Sequence, residues 1–348
     1  MSQFRTPVEL SPFPWQSGYE HKNMFIGSCF TENIGEIMQS LALPTDLNPF
    51  GILFNPVSIA RAIKRLVSAE SFAEDNLFHF NGLWHSYMHH GRFSGENREH
   101  VLLSINDRLQ FSSRFLQETD FLFITLGTAW VYELKSTGEV VANCHKVPAG
   151  EFRRFRLTLF ETIEVLKDCL ESLWSTVPGL KVIFTVSPVR HIKDGAVENQ
   201  LSKSTLLLAV DALVKGFGKE RCTYFPSYEL VMDELRDYRF YAADMVHLSE
   251  VAVQFIWEKF AQVAISQSDR EVMKRVDGIN RAIAHKPFNR LTSGHLQFIE
   301  HTLTKVLALS DEFPYISLDS QIRFLESEIQ EIKKSAGINQ IGRDIFYD

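Results

Sequence analysis

Short apolar runs alternate along the chain with longer stretches in which apolar residues recur at helical spacing. Met24-Phe25-Ile26 is the first such run and predicts a buried strand. Ile34, Ile37, Met38 and Leu41 follow at i, i+3, i+4 and i+7, which predicts a helix with one apolar stripe and Thr31 as its cap. Ala42 to Asn48 returns toward the sheet, and Phe50 to Phe54, broken by Gly51 and flanked by Pro49 and Pro56, predicts a loop. Pro56 suits the first turn of a helix that turns Ile59, Ala60, Ile63 and Val67 inward. The pattern then predicts a helix over Val101–Phe115, a strand over Phe121–Leu126, a helix over Leu157–Ser175 and a strand over Val182–Val186. A helix over Leu201–Phe217 and a short strand over Cys222–Phe225 follow. Strands alternating with helices predict an α/β fold with a doubly wound parallel sheet covered on both faces.

Two hairpins interrupt this alternation. Leu77 to Tyr87 alternates about Asn81-Gly82, and Trp130 to Val147 about Ser136-Thr137-Gly138. Such hairpins are extra to a doubly wound sheet and belong at its edge or mouth, where they shape a cleft. From Ser268 the strand pattern stops, and helical stretches follow over Arg270–His285, Thr292–Leu309 and Ser320–Ser335. The chain therefore divides into an α/β domain, 1–267, and a C-terminal helical appendage packed on it, 268–348.

Composition narrows the function. A net charge of −7 and a pI near 6.0 argue against nucleic acid as a partner. The densest basic run, Arg153-Arg154-Phe155-Arg156, is expected at the solvated start of a helix. No run approaches the ~18 apolar residues of a membrane span, and Met1 to Lys22 lacks the pattern of a secretory signal, so a cytoplasmic location is expected. Cys29, Cys144, Cys169 and Cys222 are not spaced as zinc ligands, and no metal or cofactor is expected. His295, Glu300 and His301 imitate a ligand set at helical spacing but are expected on a solvated helix face.

Two places carry candidate chemistry. At Gly27-Ser28-Cys29 a strand turns sharply into a helix, which aims backbone N–H groups and the positive end of the helix dipole at one spot. A hydroxyl or thiol there stands beside a potential oxyanion hole. The structural alternative is that small residues merely permit close packing. Asp244-x-x-His247 precedes Ser249 and the apolar run Val251 to Ile265. A carboxylate so spaced can hold one imidazole nitrogen and leave the other to accept a proton; the alternative is a solvated capping loop.

Gly27-Ser28-Cys29-Phe30 resembles the signature of the GSCFA-domain proteins, a group similar to the SGNH/GDSL hydrolases, with Thr31 where the name-giving motif has Ala. Asn48-Pro-Phe-Gly51-Ile-Leu-Phe-Asn55-Pro, Trp84-His85-Ser86, Thr125-Leu-Gly127-Thr128-Ala-Trp130, Asn143-Cys-His145-Lys146, Ser187-Pro-Val-Arg190-His191 and Asp244-x-x-His247 resemble the same group, over roughly residues 1–290. The resemblance implies an SGNH/flavodoxin-like three-layer α/β/α fold, Ser28 as nucleophile, His247 as general base and Asp244 as its orienting carboxylate. Cys29 is a chemically competent rival to Ser28. Oxyanion donors would come from Ser28, Gly51 and Thr128, the last standing in a block that lacks the superfamily's usual Asn. His85, His145, Lys146, Arg190 and His191 are candidate substrate contacts. The implied activity is that of a serine esterase or O-acyltransferase working through an acyl-serine on a small-molecule or carbohydrate ester. The alternative is a non-catalytic carbohydrate- or anion-binding module. No pattern in the chain specifies an oligomeric state.

Overall fold

In chain order, β1 (Asn23–Gly27) runs into α1 (Cys29–Ser40), and β2 (Thr45–Leu47) leads to α2 (Pro56–Ser68). The hairpin β3 (Phe78–Phe80) and β4 (Leu83–His85) precedes α3 (Arg98–Gln117) and β5 (Phe121–Leu126). Three short strands follow, β6 (Trp130–Leu134), β7 (Glu139–Val141) and β8 (Phe152–Arg156). Then come α4 (Leu159–Thr176), β9 (Lys181–Val186), α5 (Gly195–Phe217), β10 (Cys222–Tyr224), the single turn α6 (Ser227–Glu229) and α7 (Glu250–Ala264). The structure is a computed structural model that describes residues 6–344.

The sheet of five strands has the order β10-β9-β5-β1-β2, with every pair parallel. Two antiparallel sheets accompany it, β3-β4 and β7-β6-β8. The fold is thus a mixed parallel and antiparallel α/β fold with flanking helices. Side chains alternate across each strand, so each strand feeds two cores. Met24, Ile26, Leu122, Ile124, Val182 and Phe184 join Ile59, Ile63, Leu170 and Leu206 of α2, α4 and α5 in one buried cluster. On the other face Phe25 stacks on Phe123 at 4.2 Å, and Phe260 of α7 meets Phe123 at 5.4 Å and Phe225 at 5.3 Å. Each such buried side chain contributes ~1.5–3 kcal/mol relative to exposure.

Local chemistry sets the helix starts. Asn55 accepts from the Ser58 N–H ahead of Pro56, Thr158 and Glu161 close a capping box on α4, and Ser249 caps α7. The helix after β1 departs from expectation, because the strand-to-helix turn takes a single residue and α1 begins at Cys29. Thr31 therefore lies within the first turn, buried and without a hydrogen-bond partner for its hydroxyl, and is not the cap. Arg153-Arg154-Phe155-Arg156 is likewise not a helix start. It lies in β8 beside β6, where Arg153 faces Glu133 in register and pairs with its carboxylate at 2.9 Å. The capping box at Thr158 starts the helix only afterwards.

The chain divides into two units. One comprises the residues up to Ser17, His21–Ile37 and Pro44–Ile265; the other comprises Gly18–Glu20, Met38–Leu43 and the chain from Ser266 on. The second unit carries α8 (Gln267–Ala284), α9 (Ser293–Glu312) and α10 (Asp319–Asp344), with Val276, Ile299, Val306, Leu309 and Leu325 buried. His295 departs from the expected solvated face, since it is buried and stacks on Phe298 at 6.2 Å. Among the described residues no group of three metal-ligating side chains occurs, and no helix is long and apolar enough to cross a membrane.

Candidate functional site

In the parallel sheet the chain moves outward from β1 to β2 on one side and from β5 through β9 to β10 on the other. Such a switch point opens a crevice beyond the carboxyl ends of the two central strands. A cavity of about 790 Å³ is lined there by Ser28, Cys29, Thr128, Ser187, Arg190, His191 and His247. Trp130, Tyr132 and Arg154, from β6 and β8, form part of its wall. Its volume suits a small molecule, for which ~300–1,000 Å³ is usual.

Backbone contacts fix Ser28. The Gly27 N–H donates to Asn48 Oδ1 at 2.9 Å, the Ser28 N–H to the Thr125 carbonyl at 3.3 Å, and the Thr31 N–H to the Ser28 carbonyl at 2.8 Å. Gly27 has φ +152°, and a Cβ there would stand 2.3 Å from the Thr125 carbonyl oxygen, so only glycine admits this approach of β1 to β5. The Ser28 hydroxyl is buried and has no hydrogen-bond partner. Beside it Cys29 is half-buried, and burial pushes its thiol up against the opposing pull of the Phe30 N–H and Lys203.

Asp244 and His247 form a local unit. Asp244 Oδ2 lies 2.6 Å from His247 Nδ1, while Oδ1 accepts from the Val246 and His247 N–H groups, both at 2.9 Å. The His247 hydrogen bond, then those two N–H groups, hold the Asp244 carboxyl down to about 2. With the ring proton on Nδ1 facing the carboxylate, Nε2 is left as an acceptor. Both side chains are largely exposed, and no hydrogen bond joins His247 to Ser28.

The expected oxyanion donors are engaged elsewhere. The Gly51 N–H donates to the Asn48 carbonyl at 2.8 Å and the Thr128 N–H to the Phe54 carbonyl at 3.0 Å. Gly51 is not among the cavity's lining residues; it is glycine because φ is +77° and a Cβ would stand 2.3 Å from that of His90. The Thr128 hydroxyl accepts from the Trp130 N–H and lies 3.1 Å from the Ser202 hydroxyl. It keeps a proton for the cavity only when Ser202 is the donor of that pair.

Of the candidate substrate contacts, Arg190 and His191 line the cavity, whereas His85, His145 and Lys146 do not. His85 is held by Ser94 Oγ at 2.7 Å and the Phe80 carbonyl at 3.1 Å, and His145 by the Ser86 carbonyl at 2.9 Å, with the two rings 4.5 Å apart. His89 sits nearby on Ser86 Oγ at 2.9 Å. These rings brace the hairpin and the loop after β7. Burial holds His89 down to about 3 and His145 to about 4. An unfolded histidine titrates near ~6.5, so the unfolded chain takes up protons first as the pH falls. Stability is therefore complete above about pH 6.5 and declines as the pH falls, toward about pH 4 for His145 and about pH 3 for His89, by at most about 1.4 kcal/mol per pH unit for the buried His89 and by less for His145. Thermal denaturation across that interval should show the slope, and His145→Asn should flatten part of it. A transition temperature independent of pH would mean that the rings accept protons without cost.

The GSCFA family model matches residues 22–260, more than half of the chain and all of the cavity wall. The chain belongs to the GSCFA family. A second model, that of the GSCFA domain protein C-terminal domain, matches residues 276–331. No curated protein and no solved structure matches the chain. The matching models are not those of any SGNH/GDSL hydrolase family, which overturns the likeness to that superfamily. The labels hydrolase, esterase and acyltransferase lose the support they drew from it. The geometry is consistent with this correction, since the Gly51 and Thr128 N–H groups are engaged within the fold and the third block has no Asn.

Asn48 and Trp130 stood in the sequence only as motif positions without a role, and Lys203 was not singled out at all. Asn48 holds the turn that presents Ser28. Trp130 lines the cavity with a buried indole N–H that has no partner. Lys203 is wholly buried, its ammonium donating to the Gly127 and Ser187 carbonyls at 2.6 Å each, and burial pulls it down to about 7. Its signal was present, because it precedes Leu206, Val210 and Leu213 by three, seven and ten residues and so occupies an apolar position of α5.

Proposed function

We propose that this GSCFA protein transfers acyl groups from an ester, through an acyl-serine formed on Ser28, with His247 as proton carrier and Asp244 as the carboxylate that orients it. The observation that carries the reading is a buried hydroxyl without a partner, in the same cavity wall as an imidazole already tied to a carboxylate. In the first step Ser28 Oγ bonds to the ester carbon, its proton passes to His247 Nε2, and the alcohol leaves with that proton. Water or a second alcohol, such as a sugar hydroxyl, then takes the acyl group. The step requires Nε2 to reach the Ser28 hydroxyl; such bonds are often loose before substrate binds. The strand order also suits a flavodoxin-like doubly wound sheet, in which ligands sit at this switch point. A second reading, a module that holds an anion or a sugar without chemistry, is favoured by the engaged N–H groups of Ser28, Gly51 and Thr128.

Treatment with a serine-directed phosphonate followed by peptide mass spectrometry separates the two. An adduct is expected on the peptide that contains Ser28 and Cys29, persisting in Cys29→Ala and absent from Ser28→Ala. The reverse pattern would assign the chemistry to the thiol, and folded protein that takes no adduct would support the module.

A further inference from the structure

The cavity wall is cationic in a chain that is acidic overall. Its charged lining residues are Arg154, Arg190, Lys193 and Asp194, and the sole carboxylate among them is ion-paired with Arg154. Arg190 donates to the Met232 sulfur at 3.2 Å, and among the described residues neither Arg190 nor Lys193 forms an ion pair. Behind this wall lies Lys203, whose ammonium bridges the carbonyls just beyond β5 and β9 and, among the described residues, has no carboxylate partner either. A buried cation without a counter-charge is costly unless something else supplies the negative charge. Ser28 and Trp130 also line the wall, and the Ser28 hydroxyl and the Trp130 indole N–H are buried without hydrogen-bond partners. The net charge of −7 would repel an anion from most of the surface, so a local cationic cleft concentrates and orients one.

We propose that the cavity is built for an anion: the ester on which Ser28 acts carries a carboxylate or phosphate group, received by Arg190 and Lys193 in front of the buried ammonium of Lys203. This rests on the acyl-transfer reading for what Ser28 does, while the anion site rests on the cations alone. The groups that act on Lys203 are the Cys29 thiol of α1 and Arg190 and His191 of the loop after β9. An anion in the cleft opposes the burial that weakens the ammonium, so binding near neutral pH is accompanied by proton uptake at Lys203.

The test is calorimetric titration of the full chain with inorganic phosphate and, separately, succinate, at low salt and in buffers of different ionisation heat. At least one anion is expected to bind, about tenfold or more weakly in Arg190→Gln/Lys193→Gln, and the proton uptake should vanish in Lys203→Met. The tighter of the two anions names the group that the substrate carries. Should Lys203→Met fail to fold, the rim variant alone still decides. No binding of either anion, or equal binding by the rim variant, overturns the proposal. Phosphate binding without a phosphonate adduct would remove the acyl-transfer reading and leave the anion site standing, whereas an adduct without anion binding would do the opposite.

Discussion

Ser28→Ala and His247→Ala are each expected to remove nearly all turnover of an ester that the protein accepts, by as much as ~10⁶-fold, and the double variant should lose little more than either alone. The reason is that the hydroxyl and the imidazole serve one proton transfer: without the acceptor the hydroxyl is a poor nucleophile, and without the hydroxyl the acceptor has nothing to deprotonate. Asp244→Asn should cost less than either, up to ~10⁴-fold where such a carboxylate is buried. Asp244 is largely exposed, so water can replace part of its role. Steady-state kinetics on the four variants provide the check. Multiplicative losses, with each single variant keeping substantial turnover, would mean that Ser28 and His247 act independently.

Gly27→Ala is expected to destabilise the sheet unit and displace the site together. The substitution places a methyl group 2.3 Å from the Thr125 carbonyl oxygen at φ +152°, where an L-residue is strained whatever the space. A sparsely populated backbone conformation costs ~1–3 kcal/mol and a forced contact in a packed interior a further ~1–3 kcal/mol. The expected loss is thus about 2–6 kcal/mol, a large share of the ~5–15 kcal/mol by which folded domains are stable. Denaturant midpoints of the variant and the parent measure it. A variant with an unchanged midpoint would show that the turn relaxes, and that Gly27 is not there for the approach to Thr125.

What was legible in the sequence is what periodicity encodes. Met24-Phe25-Ile26, Phe121–Leu126 and Val182–Val186 read as strands because a strand buried on both faces is apolar at nearly every position, Thr125 and Thr185 being the polar ones here. Asn81-Gly82 sits in its hairpin with φ +49° and +78°, as the two-residue turn demands. Elements set by partners distant in sequence were less legible. Arg153–Arg156 became a strand because β6 offers a free edge, a fact absent from the arginines themselves. His85 and His145 resembled substrate contacts, but each finds its partners in the surrounding hairpin and loops. Gly51 matched a motif position, yet its N–H is turned to Asn48. Ser28, Cys29, Thr128, Arg190, His191 and His247 do come to one cavity, because all but His247 follow the carboxyl ends of β1, β5 and β9, where a parallel sheet collects its loops.

The Asp244 loop has a consequence for how this cleft changes over time. The Asp244 carboxylate takes one hydrogen bond from the His247 imidazole and two from the Val246 and His247 backbone N–H groups, all within three residues, and the Ala242 N–H closes the base of the loop on the His247 carbonyl at 2.8 Å. The pair is therefore a clip that needs nothing from the sheet to keep its shape. The hydroxyl is the opposite case, since Gly27, Asn48 and Thr125 must all hold still for Ser28 to be where it is. Substitutions in the sheet displace the hydroxyl and leave the clip intact. Insertions or deletions in the chain on either side of the clip carry it as a rigid piece, nearer to the hydroxyl or farther from it. Chain length in these flanks, rather than the identity of any residue within the pair, is the variable through which such a cleft gains or loses contact between its two halves.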